Sequence, residues 1–412
     1  MKVALLTGGK DPHYVRGLVR ELTERGVRIA LVGNDELADT PEAGNVRVTS
    51  HNLVGGLDPD AGLLAKAWRV LSYYVRLLAF VARTDARLFH ILWFRKFPLA
   101  ERIVLIGYLK LLGKKLAFTA HNVDDQARDG RRETFPNRLS LTFLYRTVDH
   151  IFVHKRQMEL ELVREFGVSE QKVTVVPFGI NDVIPVARVS RAAARQQLGL
   201  GSHEKVLLFF GNIAPYKGVG DLLRALASLV REDGSFTLIL AGPVKDRTCE
   251  AYWAELQSLI EALQLSKNVR KEIRYIPDGD VGPLFRASDV SVLPYRRVYL
   301  SGVLALSYAQ GVPVIAANVG SMREDILEGE TGLLFRPGDV GDLAAKIRTH
   351  FASQSTRDLE ARQRAISEYG AERFSWKINA ERTYAVYGHL VPPCSSVDAE
   401  SALHQSDQMM SQ

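Results

Sequence analysis

Two glycine-containing loops in the second half of the chain have the composition of phosphate-binding sites. The first, residues 210–218, reads Phe-Gly-Asn-Ile-Ala-Pro-Tyr-Lys-Gly and lies between an apolar run and a helical pattern. Backbone N–H groups at such a junction, with the positive end of the helix dipole, attract phosphate. Gly211 and Gly218 belong to this loop, and Lys217 supplies a full positive charge. A P-loop is excluded because it requires Gly-Lys-Ser/Thr; the alternative reading is an ordinary turn with a surface lysine.

The second loop, residues 293–303, reads Leu-Pro-Tyr-Arg-Arg-Val-Tyr-Leu-Ser-Gly-Val. Ser301 is a good N-cap for a helix predicted over Gly302–Ala309. Gly302 lets a ligand approach the backbone closely, and the guanidinium of Arg296 can grip phosphate oxygens bidentately. We therefore expect a phosphate at this helix end, against the alternative of a capped helix beside surface arginines.

Three acidic or glycine-rich segments remain to be interpreted. Glu324 follows a buried strand and a short loop, and its carboxylate can accept hydrogen bonds from sugar or ribose hydroxyls. Gly8-Gly9 follows the first strand but does not extend to Gly-x-Gly-x-x-Gly, which disfavours a nicotinamide-dependent dehydrogenase. Asp278-Gly279-Asp280 resembles an Asp-x-Asp metal site. We interpret it instead as a turn in which Asp280 caps a helix over 281–287, and we predict no metal.

Strand ends must meet for these loops to form one site, and the hydrophobic pattern predicts sheets that achieve this. Short apolar runs alternate with helical patterns through both halves of the chain, which is typical of parallel βαβ units. The fold class is therefore α/β, with two Rossmann-like domains facing across a cleft, and the cleft is the expected ligand site. The predicted strands are 3–6, 27–32, 88–93, 116–120, 151–153, 173–176, 206–210, 236–240, 273–276, 290–293, 312–316 and 333–335.

The domain boundary is expected where this rhythm stops, within residues 181–204. We assign residues 1–184 to an N-terminal domain and 185–373 to a C-terminal domain. The helix over 374–390 is predicted to cross back onto the first domain. Residues 394–412 are rich in Ser and Gln and are expected to be disordered.

Bulk composition restricts the class of protein. The chain has 412 residues, of which 46% are hydrophobic and 24% charged, as in soluble globular proteins. Two cysteines are too few for a disulfide framework, and neither a signal peptide nor a membrane-spanning helix is expected. These features favour a cytoplasmic protein.

The positive charge is concentrated in the first half. Residues 61–120 hold 11 Lys/Arg and 2 Asp/Glu. Arg69, Arg76 and Arg83 are seven residues apart and share one helical face, beside apolar Trp68 and Leu71. A basic stretch implies a polyanionic partner, which can be acidic lipid, nucleic acid or a phosphorylated acceptor. Of these we predict an anionic membrane, on the inner face of the plasma membrane and contacted through residues 61–115, and not nucleic acid. The alternative is a solvated basic face whose apolar side belongs to the core.

Several motifs in fixed order resemble the retaining glycosyltransferases of family 4 (glycosyl transferases group 1), which have the GT-B fold. Within residues 205–350 these are the Gly-x-x-x-x-x-Lys-Gly loop, Ser-Asp-Val-x-Val-Leu-Pro-Tyr, Gly-Val-Pro-Val-Ile-Ala and Glu-Gly-Glu-Thr-Gly-Leu-Leu-Phe. The resemblance implies that Lys217 holds the donor diphosphate. It also implies that Ser301, Gly302 and Val303 lie near the phosphates and sugar, and that the loop before Glu324 belongs to the donor pocket.

In the first half, the resemblance extends to Thr119-Ala120-His121-Asn122. It implies that His121 faces the transferred sugar from across the cleft. It further implies that Gly8-Gly9 forms the glycine-rich loop near the reaction centre.

The chain departs from the family pattern at three positions. Asn212 replaces a common arginine, for which Arg296 is the proposed substitute, and Val298 and Leu306 replace two common glutamates. The prediction is nonetheless retaining transfer of a hexose from a nucleoside diphosphate-sugar to a glycan or lipid-linked acceptor, without a cofactor or metal. The alternatives are a nucleotide-sugar epimerase of the same fold and a degenerate protein that binds nucleotide sugars without turnover.

Overall fold

The computed structural model describes residues 1–34, 41–53, 62–124, 134–179, 189–353 and 359–392. They form two parallel sheets with the orders β3-β2-β1-β4-β5-β6-β7 and β10-β9-β8-β11-β12-β13. We call the first sheet with its helices the first domain, and the second sheet with its helices the second domain. The strands are β1 Lys2–Leu6, β2 Arg28–Gly33, β3 Val48–Asn52, β4 Leu88–Ile91, β5 Lys115–Ala120, β6 His150–Val153, β7 Val173–Val175, β8 Lys205–Phe210, β9 Phe236–Ala241, β10 Val269–Glu272, β11 Val290–Leu293, β12 Val314–Ala317 and β13 Gly332–Phe335.

Helices cover both sheets. The segment 98–111, called α3, is continuous but includes a π-helical stretch at Glu101–Leu105. The other helices are α1 Pro12–Glu24, α2 Leu63–Arg83, α4 Phe135–Thr147, α5 Arg156–Phe166, α6 Arg191–Gln197, α7 Val219–Glu232, α8 Glu250–Ala262, α9 Asp278–Ala287, α10 Gly302–Ala309, α11 Met322–Asp325, α12 Val340–Ser353, α13 Leu359–Arg373 and α14 Trp376–Leu390.

Burial explains why the central strands are apolar. Val3 to Leu6 of β1 and Val206 to Phe209 of β8 are buried, since helices cover both faces of each sheet. The helix Gly302–Ala309 has the predicted bounds, and Ser301 caps its first turn.

The edges of the sheets are where the sequence-based strands fail. The strand predicted over 273–276 is wrong: the edge strand of the second sheet is Val269–Glu272, which pairs with Leu238 to Ala241 of β9. Only Val269 of that strand is buried, so it lacks an apolar run. The polar edge strand Val48–Asn52 escaped prediction for the same reason.

The C-terminal helix α14 lies against the first domain. The Asn379 amide donates to the carbonyl of Pro177, and Arg382 donates to the carbonyl of Val175. Trp376 fits into a slot over Gly17 and Gly179, where an added Cβ would come within 2.2 Å and 1.9 Å of the indole. The helix therefore joins the two domains a second time.

Two expectations fall outside the described residues. The predicted boundary at 184/185 lies between 179 and 189, and the tail 394–412 lies beyond 392. In the described ranges, no helix is both long enough and apolar enough to cross a membrane.

Candidate functional site

The strand order of each sheet predicts where a ligand binds. The order reverses between β1 and β4 in the first sheet and between β8 and β11 in the second. Ligands of open parallel sheets bind at this switch point, beyond the carboxyl ends of the strands. Gly8-Gly9 follows β1, the loop 211–218 follows β8 and the loop 294–301 follows β11, so the sequence-predicted loops all begin at such ends.

The loop after β8 is a tight turn against the loop after β11. Gly218 has a φ of 69°, and a Cβ there would lie 1.8 Å from the carbonyl oxygen of Pro294. Gly211 also has a positive φ, of 108°. The ammonium of Lys217 lies 3.9 Å from the ring centroid of Tyr295. The aromatic ring thereby steadies the cation that the sequence assigns to phosphate.

The N-terminus of α10 faces the first domain. The Ser301 hydroxyl accepts a hydrogen bond from the Leu304 N–H at 3.2 Å. A Cβ on Gly302 would contact the Phe178 ring at 3.6 Å. Val303 lies beside Gly211, 3.4 Å from where a Cβ of that glycine would be. The helix end, the loop of Gly211 and the end of the first domain are thus close together.

Arg296 is held by a carboxylate. Its guanidinium donates to both oxygens of Asp221, at 3.1–3.2 Å, while more than half of its side chain stays exposed. Its role as a substitute for the arginine missing at Asn212 remains a prediction.

A cavity of about 330 Å³ lies between the domains. Leu306, at one of the two positions where glutamate is common, belongs to its wall, so this part of the wall is apolar. Polar groups come from the first turn of α1 and from Asp278, whose carboxylate lies 3.5 Å from His13 Nε2. The cavity is lined by Asp11, His13, Tyr14, Phe178, Gly179, Phe210, Tyr275, Ile276, Asp278, Val281, Gly302, Val303, Leu306 and Trp376.

Glu324 is exposed within α11, the helix that follows β12, and its carbonyl accepts a hydrogen bond from Arg373. The neighbouring Asp325 is buried and forms ion pairs with Arg373 and with Lys155 of the first domain. Burial lowers the pKa of the Lys155 ammonium. Sequence reasoning missed this cross-domain pair; its only signal is the polar His154-Lys155 directly after β6.

Gly8 and His121 lie just beyond the carboxyl ends of β1 and β5, and both lie against Trp93. Gly8 has a φ of 62°, and a Cβ there would lie 2.8 Å from the carbonyl oxygen of Trp93. The next residue, Gly9, has a φ of 70°. The His121 ring stacks on Trp93, with centroids 4.0 Å apart and planes 2° apart. The glycine turn and the imidazole are thus joined through Trp93.

His121 is buried and neutral. Its Nδ1 lies 3.2 Å from Nε2 of His154. Burial, followed by the proximity of His154, holds the pKa of His121 well below its usual range. It lies in the wall of a second cavity of about 240 Å³, within the first domain, whose charged residues are Lys10 and Arg102.

The predicted cap at Asp280 is wrong. The helix begins at Asp278, and no side chain caps it. The Asp280 carboxylate instead forms an ion pair with Arg274 at 3.1 Å. Since Asp278 and Asp280 engage different partners, they do not converge as a metal-binding pair. Within the described ranges, no group of three or more His, Cys, Asp or Glu side chains is arranged to hold a metal ion.

Two parallel Rossmann-like domains that meet at a cleft define the GT-B architecture. Solved structures share it over nearly the whole chain. Sucrose-phosphate synthase from Thermosynechococcus elongatus has a TM-score of 0.73 at 22% identity, covering 95% of this chain and 99% of that one. Anabaena HepE, solved with UDP and glucose, has a TM-score of 0.73 at 18% identity, covering 94% of this chain and 100% of that one. At these identities the likeness shows the fold alone.

Family models match both halves of the chain. Residues 13–183 match "Glycosyltransferase Family 4", and residues 190–373 match "Glycosyl transferases group 1". The chain belongs to this glycosyltransferase family.

Related sequences carry one description. A D-inositol 3-phosphate glycosyltransferase of Streptomyces scabiei is 31% identical over 63% of this chain and 58% of its own length. That of Kineococcus radiotolerans is 32% identical over 56% of this chain and 55% of its own length. The chain spans less than two thirds of the length of these curated relatives.

Proposed function

We propose that the chain transfers a hexose-type sugar from a nucleoside diphosphate-sugar to a glycan or lipid-linked acceptor, with retention of configuration. The observation that carries this proposal is the cavity between the domains, where the N-terminus of α10 meets the start of α1. A phosphate at that helix end gains about 0.3–1 kcal/mol from the dipole, or about 2 kcal/mol when partly buried. Lys217 holds the diphosphate in this proposal.

Charge on the departing diphosphate is then neutralised by protein groups. Lys217 and the backbone N–H groups of α10 act where negative charge develops, and we propose that no metal or cofactor is required. Solved HepE structures contain UDP and UDP-glucose, which supports a nucleoside diphosphate-sugar as donor here. Retention is tested by the anomeric configuration of the product, read from its proton coupling constants; inversion would refute it.

The donor proposal is tested by thermal-shift measurements with UDP, GDP and ADP and their sugar conjugates. A ligand at about 100 times its dissociation constant stabilises the fold by about 2.7 kcal/mol. We expect a rise in melting temperature with one nucleotide family. No rise with any of them would contradict the donor site.

Two other functions make different predictions with the same reagents. A nucleotide-sugar epimerase converts the donor to a new sugar nucleotide with no acceptor present. A degenerate binding protein, suggested by Val298 and Leu306 in place of glutamates, binds the donor without turnover. Product that requires an added acceptor favours the transferase over both.

The first domain also exposes an apolar surface that fits a membrane. Leu64, Trp68, Leu71 and Val75 form an exposed stripe on α2, because they recur at three- and four-residue spacing. The adjacent α3 also exposes apolar side chains, at Leu99, Ile103, Val104 and Leu111.

Charge complements this surface. The segment 61–120 that includes both helices has 11 basic and 2 acidic residues. Arg76 and Arg83 are exposed on α2, and each cation near an anionic surface contributes about 1 kcal/mol. We propose that the protein is cytoplasmic and rests on the inner face of the plasma membrane, which brings a lipid-linked acceptor to the first domain.

Vesicle sedimentation tests this surface. The protein should bind phosphatidylglycerol-containing vesicles and not pure phosphatidylcholine. Leu71→Asp should weaken binding about tenfold or more, since a buried leucine contributes about 1.5–3 kcal/mol. Leu327→Asp, at an exposed leucine of the second domain, is the matched control. Equal binding by both variants would refute the assignment.

A further inference from the structure

Two buried histidines connect the backbone to the wall of the first-domain cavity. His154 follows β6, and its Nδ1 lies 3.3 Å from the carbonyl oxygen of Val176. A carbonyl oxygen only accepts hydrogen bonds, so Nδ1 of His154 carries the proton. Burial lowers the pKa of His154 to about 3, so the ring is neutral near pH 7. Its Nε2 therefore offers a lone pair.

That lone pair determines the tautomer of the next ring. Nε2 of His154 lies 3.2 Å from Nδ1 of His121, which must donate the shared proton. His121 is also neutral, because burial and the neighbouring His154 lower its pKa. Nε2 of His121 is then unprotonated and can only accept a hydrogen bond.

The position of the His121 ring is fixed by aromatic neighbours. It stacks on Trp93, and Tyr14 meets it edge-on with centroids 4.7 Å apart. Its Nε2 is buried and finds no hydrogen-bond partner among the described residues. Buried polar atoms are usually paired, so this atom is an acceptor without a donor, on a residue in the wall of the first-domain cavity of about 240 Å³.

We propose that His154 is a positioning residue that holds His121 in the Nδ1–H tautomer, so that His121 Nε2 accepts a hydrogen bond from a hydroxyl of the bound ligand. The chemistry selects a neutral hydroxyl over a phosphate or carboxylate oxygen, because those anions have no proton to donate. The inference rests on the proposed function for its ligand, a hydroxylated sugar. The tautomer itself is independent of that function.

Long-range ¹H–¹⁵N spectra of histidine-labelled protein, without ligand, measure the tautomer directly. His121 is assigned by the loss of its signals in His121→Gln. The inference predicts a protonated Nδ1 and an unprotonated Nε2 for His121 and also for His154. A protonated Nε2 on either ring, or an imidazolium at pH 7, would overturn it.

The role of His154 is tested by its own variants. In His154→Ala, the His121 signals should shift toward the other tautomer, whereas His154→Gln supplies an amide oxygen that can accept from Nδ1 and should restore them. His150→Ala is the matched control. It removes a buried histidine of β6 whose Nε2 contacts Thr174 and not His121. Unchanged His121 signals in His154→Ala would overturn the positioning role.

Calorimetry then tests the hydrogen bond between a sugar hydroxyl and His121 Nε2. The probes are UDP with UDP-glucose, GDP with GDP-mannose and ADP with ADP-glucose. For the pair that binds, the affinity gained from the sugar should fall about fivefold to tenfold in His154→Ala, with the nucleoside diphosphate alone unaffected. An unchanged gain would overturn the hydroxyl contact. Failure of all three pairs would refute the proposed function while leaving the tautomer result intact.

Discussion

The two domains share one strand order but build their halves of the cleft from different materials. The first domain uses side chains: buried His121 and His154 lie just beyond β5 and β6, and its described part also buries His90 and His150 within strands. The second domain uses tight backbone turns and a cation, with Gly218 packed on Pro294 and Lys217 beside Tyr295. Its described part buries one histidine, His350. A shared topology therefore fixes where a ligand lies and leaves open which groups contact it.

The largest expected effect is that acid lowers the stability of the first domain more than that of the second. Burial lowers the pKa of His90 and His154 to about 3, whereas in the unfolded chain these groups take up a proton below about pH 6.5. Their contribution to stability is therefore complete above about pH 6.5 and is lost as the pH falls toward 3. Between pH 7 and pH 5, each such imidazole lowers the free energy of unfolding by about 2 kcal/mol.

Hydrogen exchange measured peptide by peptide checks this difference. At pH 5, after correction for the intrinsic exchange rate, the first sheet should lose more protection than the second. Equal losses, or a greater loss in the second sheet, would contradict the comparison.

Removing the second connection between the domains has the next largest effect. Trp376→Ala empties the slot over Gly17 and Gly179, and deletion of a buried tryptophan typically costs about 3–5 kcal/mol. Thermal unfolding should show a clearly lower melting temperature. Ile378→Ala, at an exposed position on the same helix, should change it little. Matching melting temperatures for the two variants would show that the slot contributes nothing.

His121→Ala should separate turnover from donor binding. Without the imidazole, the transferred sugar should be less well oriented. We expect kcat to fall about 100-fold, the effect typical of a small misplacement of the reactants. Donor affinity should change far less, because the proposed diphosphate site lies in the second domain. His203→Ala, at an exposed histidine, is the control. Unaltered kinetics in His121→Ala would remove this residue from the site.

Substitution of Arg296 should have the smallest effect, on donor affinity. Because Asp221 already holds its guanidinium, Arg296→Ala should weaken donor binding only about threefold, as for an exposed ion pair of about 0–1 kcal/mol. Asp221→Asn tests whether Arg296 binds phosphate or only pairs with Asp221. Stronger donor binding in this variant would mean that the released Arg296 reaches phosphate. Calorimetry on both variants measures the difference.

The sequence predicted correctly those elements whose type and bounds depend on their own residues alone. The apolar runs of β1 and β8 predicted central strands, and Ser301 predicted the start of α10. It failed at the edge strands Val48–Asn52 and Val269–Glu272, which need only one buried face. It also missed the contacts of His154 with His121 and of Lys155 with Asp325, since these depend on how strands and domains meet.

The central claim is that Lys217 and the N-terminus of α10 hold a donor diphosphate, and calorimetric titration with UDP, GDP and ADP tests it most directly. Wild-type protein should bind one of them. Lys217→Ala should weaken that binding about 10- to 100-fold, because a hydrogen bond to a charged group contributes about 1.5–3 kcal/mol. Lys346→Ala, whose ammonium pairs with Glu328 on the surface, should bind as wild type does. Equal affinity of Lys217→Ala and wild type would contradict the account.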